Sequence, residues 1–169
     1  MDKKKSVIIL LVLLLISSFI FQFVRISKLN NETSLLKDAQ GGKIHESIYH
    51  VSSAVADAKN DLASNNMSNL TRYSWQFNEF SIFAQPDSGF WGYYINIRNG
   101  FQELLKLTQD NSPKEKTDET KNILNTLLSK LSDALYTIKK DCGVENMKYY
   151  LLLDYDNNET MKNALKKLQ

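Results

Sequence analysis

The chain has 169 residues, 24% of them charged and 43% apolar, with a single cysteine at Cys142. Removing Lys3, Lys4, Lys5 and Asp2 from 21 basic and 19 acidic residues leaves 18 of each. The body of the chain is therefore formally neutral, without the basic face a nucleic-acid binder needs. One thiol also excludes an intrachain disulfide framework, so packing must hold any fold together.

Residues 1–6 read as a short basic tail. The run Val7–Val24, VIILLVLLLISSFIFQFV, carries no charge and approaches the roughly 20 apolar residues of a membrane-crossing helix. Its core continues to Arg25 without a small-x-small exit, so a retained signal anchor is expected rather than a cleaved leader, the alternative being secretion after cleavage. The lysines before the run outweigh Arg25 and Lys28 after it, which places the N-terminus inside and the rest of the chain outside the cytoplasm. No second run of spanning length follows, so a single crossing of the cell membrane is expected. The abundance of Lys, Asn and Ile points to a bacterial envelope.

Residues 25–42 read as a stalk continuing the membrane helix, with a break expected at Gly41-Gly42. Residues 43–169 read as one helical domain of sufficient length for its own core. Its first helix, about 43–64, is striped by Ile44, Ile48, Val51, Val55, Ala58 and Leu62 at alternating spacings of four and three. A polar turn, Asn65 to Ser68, leads to a second helix over about 69–84 with Leu70, Tyr73, Phe77, Phe80 and Ala84 on its stripe. The segment Gln85-Pro86-Asp87-Ser88-Gly89 ends it. The third helix carries Phe90, Tyr94, Ile97, Phe101, Leu104 and Thr108. Its Gly92 and Gly100 demand tertiary support or a closely approaching neighbour.

Ser112-Pro113-Lys114-Glu115 reads as a capping box opening a fourth helix to about Lys140. That helix is striped by Ile123, Leu124, Leu127, Leu128, Leu131, Leu135 and Ile138 and closed by Gly143. Lys148 to Tyr155 fits either a buried helical turn or a short strand, and Asp156 to Glu159 repeats the capping pattern before a last helix bearing Met161, Leu165 and Leu168. The expected fold is all-α: an N-terminal transmembrane helix followed by an antiparallel four-helix-bundle-like extracytoplasmic domain.

Chemistry-bearing patterns fail on geometry. His45 and His50 are five residues apart, which turns them about 140° from each other on a helix, so they cannot grip one zinc ion. Asp154-x-Asp156-x-Asn158 opens like a calcium loop but has Glu159 and Leu165 where Gly and Glu are required. Cys142 falls at a helix C-terminus, where the dipole disfavours a thiolate, and reads as a small buried apolar residue. No nucleophile elbow or phosphate loop occurs. The chain is read as a non-enzyme without cofactor or metal.

The distinctive feature is aromatic density between Tyr73 and Phe101. Trp75, Phe83, Trp91 and Tyr93 lie off the helical stripes and are the candidate partner-binding residues, with second-layer packing as the plainer account. The expected role is a membrane-anchored interaction or accessory module that docks on another envelope protein, with homo-oligomerisation possible. A ligand-sensing ectodomain signalling through a partner is the alternative, because bundles build pockets between helices.

Overall fold

The computed structural model describes residues 3–84, 89–154 and 157–169; the side chains of residues 3–11, 13, 83 and 146 lie outside the description. Among the described residues every regular element is helical. They are α1 (Lys3–Ala63), α2 (Leu70–Phe83), α3 (Gly89–Gln109), α4 (Lys114–Cys142), α5 (Asn146–Tyr149), a 3₁₀ turn (Tyr150–Leu153) and α6 (Glu159–Leu168). The all-α class is as the periodicities require.

The helical stripes are what the core is made of. Val51, Val55, Ala58 and Leu62 of α1 meet Leu70, Tyr73 and Phe77 of α2, Ile97, Phe101 and Leu104 of α3, and Leu124, Leu128, Leu131 and Leu135 of α4 in one apolar cluster. The four helices follow one another around this core, with α2 against α3, α3 against α4, and α4 against the C-terminal part of α1. Short links between them enforce antiparallel neighbours. α6 lies over α4 and α3, while α5 and the 3₁₀ turn return along α1. The fourth side of the ring is different, because α1 and α2 barely touch along their length.

Four local expectations need correction. The expected break at Gly41-Gly42 does not occur: α1 runs through both glycines, so stalk and first bundle helix are one rod. The reason is tertiary. Lys37 Nζ sits 4.8 Å over the Tyr150 ring and His45 lies edge-on to Tyr149 at 4.9 Å, so α5 and the 3₁₀ turn brace α1 on both sides of the glycines. Second, α4 begins without the expected capping box, for Pro113 occupies the cap position and no side chain bonds to the first turn. Third, the cap of α6 is Asn158, whose Oδ1 accepts from Met161 N at 2.9 Å while its Nδ2 donates to Leu151 O at 2.7 Å. Asp156, the expected cap, lies outside the described residues, as does the middle of the calcium-like pattern. Fourth, Thr108 and Ile123, expected on the core stripes, are exposed: Thr108 lies at the C-terminal end of α3, and Ile123 lies one position outside the arc of Leu124, Leu128, Leu131 and Leu135 that α4 turns to the core.

Lys148 to Leu153 resolves as helical. Tyr149 and Leu152 are buried and Leu151 and Leu153 exposed, a period near three that a strand could not produce.

The α1–α2 corner holds the main polar network. Asp61 accepts from Tyr73 Oη at 2.5 Å, Asn69 Nδ2 at 2.8 Å and Asn66 Nδ2 at 3.0 Å, while Asn65 turns the chain at a φ of 59°. The hydrogen bond from Tyr73, followed by that from Asn69, holds the Asp61 carboxyl below its usual range. Burial first, then the bond to Asp61, pushes the Tyr73 phenol up to about 12. A depressed carboxylate stabilises the fold above its unfolded pKa and loses that contribution as pH falls through the folded value; a raised phenol contributes below its unfolded pKa and loses it as pH climbs toward 12. Thermal unfolding by circular dichroism should accordingly show a stability loss as pH drops below about 4, the ordinary aspartate range. Asp61→Asn should flatten that acid limb, and an unchanged limb would remove Asp61 from the account.

Candidate functional site

The sparse contact between α1 and α2 leaves a cleft of about 930 Å³. Its long wall is α1 from Lys43 to Asp57, fourteen residue steps or about 21 Å of helix. Small side chains on that wall, Ser47, Ser53 and Ala54, are what keep it open. The opposite wall is α2, with Trp75, Gln76, Glu79 and Phe80, and the floor is apolar, formed by Phe90 and Tyr94 of α3, Leu135 and Ile138 of α4, and Met161 of α6.

The rim is polar and predominantly acidic. It is formed by Lys43, Glu46, His50 and Asp57 on α1 and by Glu79 on α2. His50 Nε2 stands 3.6 Å from Glu46 Oε1 on the solvent side of α1. Inside, Gln76 Oε1 is buried and has no hydrogen-bond partner among the described residues. A buried carbonyl oxygen left in this state costs free energy unless something entering the cleft donates to it.

Of the four aromatic residues singled out from the sequence, the structure brings only Trp75 to the cleft. It stands at the lip, 61% exposed. Trp91 is partly exposed on α3 but does not line the cleft. The Phe83 side chain lies outside the described residues. Tyr93 is buried, contrary to its reading as an exposed contact residue. The cause is that α3 is packed on two sides, by α2 and by α4, so its apolar arc widens to include 90, 93, 94, 97, 101 and 104. Sequence reasoning missed the α1 wall, whose only signal was the cluster of small residues beside an otherwise bulky stripe.

The remaining reactive side chains are quiet. Burial, reinforced by the neighbouring Asp141 charge, pushes the Cys142 thiol up and away from thiolate chemistry. His45 packs against Tyr149 with its Nδ1 buried, apart from His50 at the rim. Among the described residues, no three His, Cys, Asp or Glu side chains converge as a metal set would require.

Among the described residues no helix is long and apolar enough to cross a membrane. Positions 7–11 and 13 of the Val7–Val24 run fall outside the described side chains, and the part that is described, Val12 and Leu14–Val24, is shorter than a span. No protein-family model, curated protein or solved structure matches the chain.

Proposed function

We propose that this chain is a membrane-anchored, extracytoplasmic accessory module whose α1–α2 cleft receives an amphipathic helix of another envelope protein. The observation that carries the reading is the shape of the cleft: a trough about 21 Å long, matching roughly four turns of helix, apolar at its floor and open to solvent. Trp75 at the lip supplies the aromatic anchor typical of such grooves. The rim of Glu46, Asp57 and Glu79 selects a partner helix with Lys or Arg flanking its apolar face. The uncharged run Val7–Val24 behind a lysine-rich tail supports the anchoring, and the charge bias around it supports a domain outside the cytoplasm. Alkaline extraction should leave the full chain in the membrane fraction, and protease added outside spheroplasts should digest the bundle.

A photo-crosslinking side chain at Ser53, which is exposed on the cleft wall, tests the docking role. The expected adduct maps to one partner, on a basic amphipathic helical segment, and Trp75→Ala lowers its yield about tenfold or more, the cost of one aromatic anchor. Ser47→Trp, at an exposed position of the same wall, fills the trough without entering the core and should abolish capture by the Ser53 probe in Trp75-intact protein. Adducts no stronger than those from a probe at exposed Val144 would defeat the reading. Ligand sensing is the second reading, favoured by a cleft volume within the small-molecule range. A thermal shift with small apolar compounds, blocked by Ser47→Trp, would select it instead.

A further inference from the structure

The two ends of the cleft differ in charge. At the end nearest the α1–α2 corner, Asp57 stands one turn from Asp61 on α1, and Gln76 stands about one turn from Tyr73 on α2. The hydrogen bond between Tyr73 and Asp61 fixes the register of these two antiparallel helices, so Asp57 and Gln76 come opposite each other across the trough. Glu79 follows one turn along α2. Asp57 and Glu79 are the charged groups lining this end, and neither has a hydrogen bond or ion pair among the described residues. Lys43, Glu46 and His50 lie toward the other end, with His50 about 10 Å of helix from Asp57. Gln76 is an orphan acceptor: its Oε1 is cut off from solvent and accepts no hydrogen bond among the described residues, although the side chain lines an open cleft. The fold gains nothing from an acceptor held in this way, and a methionine of similar shape would pack there at less cost.

We propose that the corner end of the cleft is a subsite for a guanidinium group, supplied by an arginine of the occupant. The planar head of arginine donates in several directions at once, to Gln76 Oε1 inside and to the Asp57 and Glu79 carboxylates at the rim. Its alkyl stem suits the apolar floor beside Phe80 and Tyr94. Trp75, next to Gln76 at the lip, offers a ring on which a guanidinium stacks. An ammonium is more strongly hydrated and loses more on moving in to Gln76. What carries the group, a partner helix, is the one element taken from the docking reading.

Butylguanidinium tests the subsite without any partner. Trp91→Phe leaves Trp75 as the sole tryptophan of the full-length chain, and its fluorescence in detergent micelles reports occupancy. Butylguanidinium should bind saturably and about tenfold or more tighter than butylurea, which keeps the shape and lacks the charge. Gln76→Met should weaken that binding about tenfold and leave the thermal midpoint unchanged or higher, because an unsatisfied acceptor is removed. A glutamine with a purely structural role would instead lower the midpoint and leave binding unaltered. Asp57→Asn, at an exposed position, should weaken binding and flatten its salt dependence, whereas Glu46→Gln at the other end should do neither. Equal affinity for the guanidinium and the urea, or a response that survives both Gln76→Met and Asp57→Asn, would overturn the subsite. A partner crosslinked at Ser53 with no butylguanidinium response would also overturn it and leave the docking reading standing. Saturable butylguanidinium binding with no crosslinked partner would do the reverse.

Discussion

Phe77→Ala should cost about 3–5 kcal/mol, the range for removing a large buried aromatic and leaving a cavity behind. Phe77 is fully buried at the centre of the α2–α3 interface. Its ring stacks near Phe101 at 5.9 Å, meets Phe80 edge-on at 5.6 Å and tilts against Tyr94 at 6.4 Å. Removing it takes one ring from every pair at once, and these pairs add to the area term. Against a total stability of about 5–15 kcal/mol for a domain this size, the variant should sit close to unfolding at 37 °C. Urea denaturation should place its midpoint well below that of Phe80→Ala, because Phe80 lines the cleft and is only partly buried. Similar losses at the two positions would mean that the aromatic cluster has no centre.

The second expected result concerns Gly100 and Gly42, both inside helices but in opposite surroundings. At Gly100 of α3 an added Cβ would meet Leu124 Cδ2 at 2.7 Å and Leu124 Cγ at 3.1 Å. Leu124 is itself fully buried on α4 and has little room to give way. Gly100→Ala should therefore destabilise by about 1–3 kcal/mol through overpacking, although the same change inside an unobstructed helix gains about 1 kcal/mol from propensity. At Gly42 of α1 the space is open, with no atom within 4 Å of the added carbon. Gly42→Ala should raise stability by roughly 0.5–1 kcal/mol by stiffening the rod between stalk and bundle. Paired urea curves provide the check, and two shifts of the same sign would refute the close approach of α3 and α4.

The close approach at Gly100 was legible as a demand and not as a contact. A glycine in the middle of an amphipathic helix requires a neighbour near its backbone, but only the structure identifies Leu124 as that neighbour. Trp75 behaves similarly. Its position off the α2 stripe predicts exposure, and it is exposed, yet the cleft beside it depends on how far α1 stands from α2. Tyr93 is the converse case, since its place off a single-faced stripe could not anticipate that α3 would be covered from two directions.

The sequence by itself determined the four long helices and most of their buried faces, because a period of 3.6 with apolar residues at three- and four-residue intervals fixes which side of a long segment turns inward. It also determined the neutral charge of the body and the absence of an intrachain disulfide framework. The tertiary structure decided everything that depends on two segments meeting. Gly41-Gly42 stays helical because Tyr149 and Tyr150 brace α1 from a position a hundred residues later in the chain. Asp61 becomes the polar anchor of the first corner because the turn at Asn65 returns Asn69 and Tyr73 to it. The cleft exists because four helices close around the core on three sides only. Each of these is a distance between elements, and hydrophobic periodicity carries the direction a helix faces but not how closely its neighbours approach.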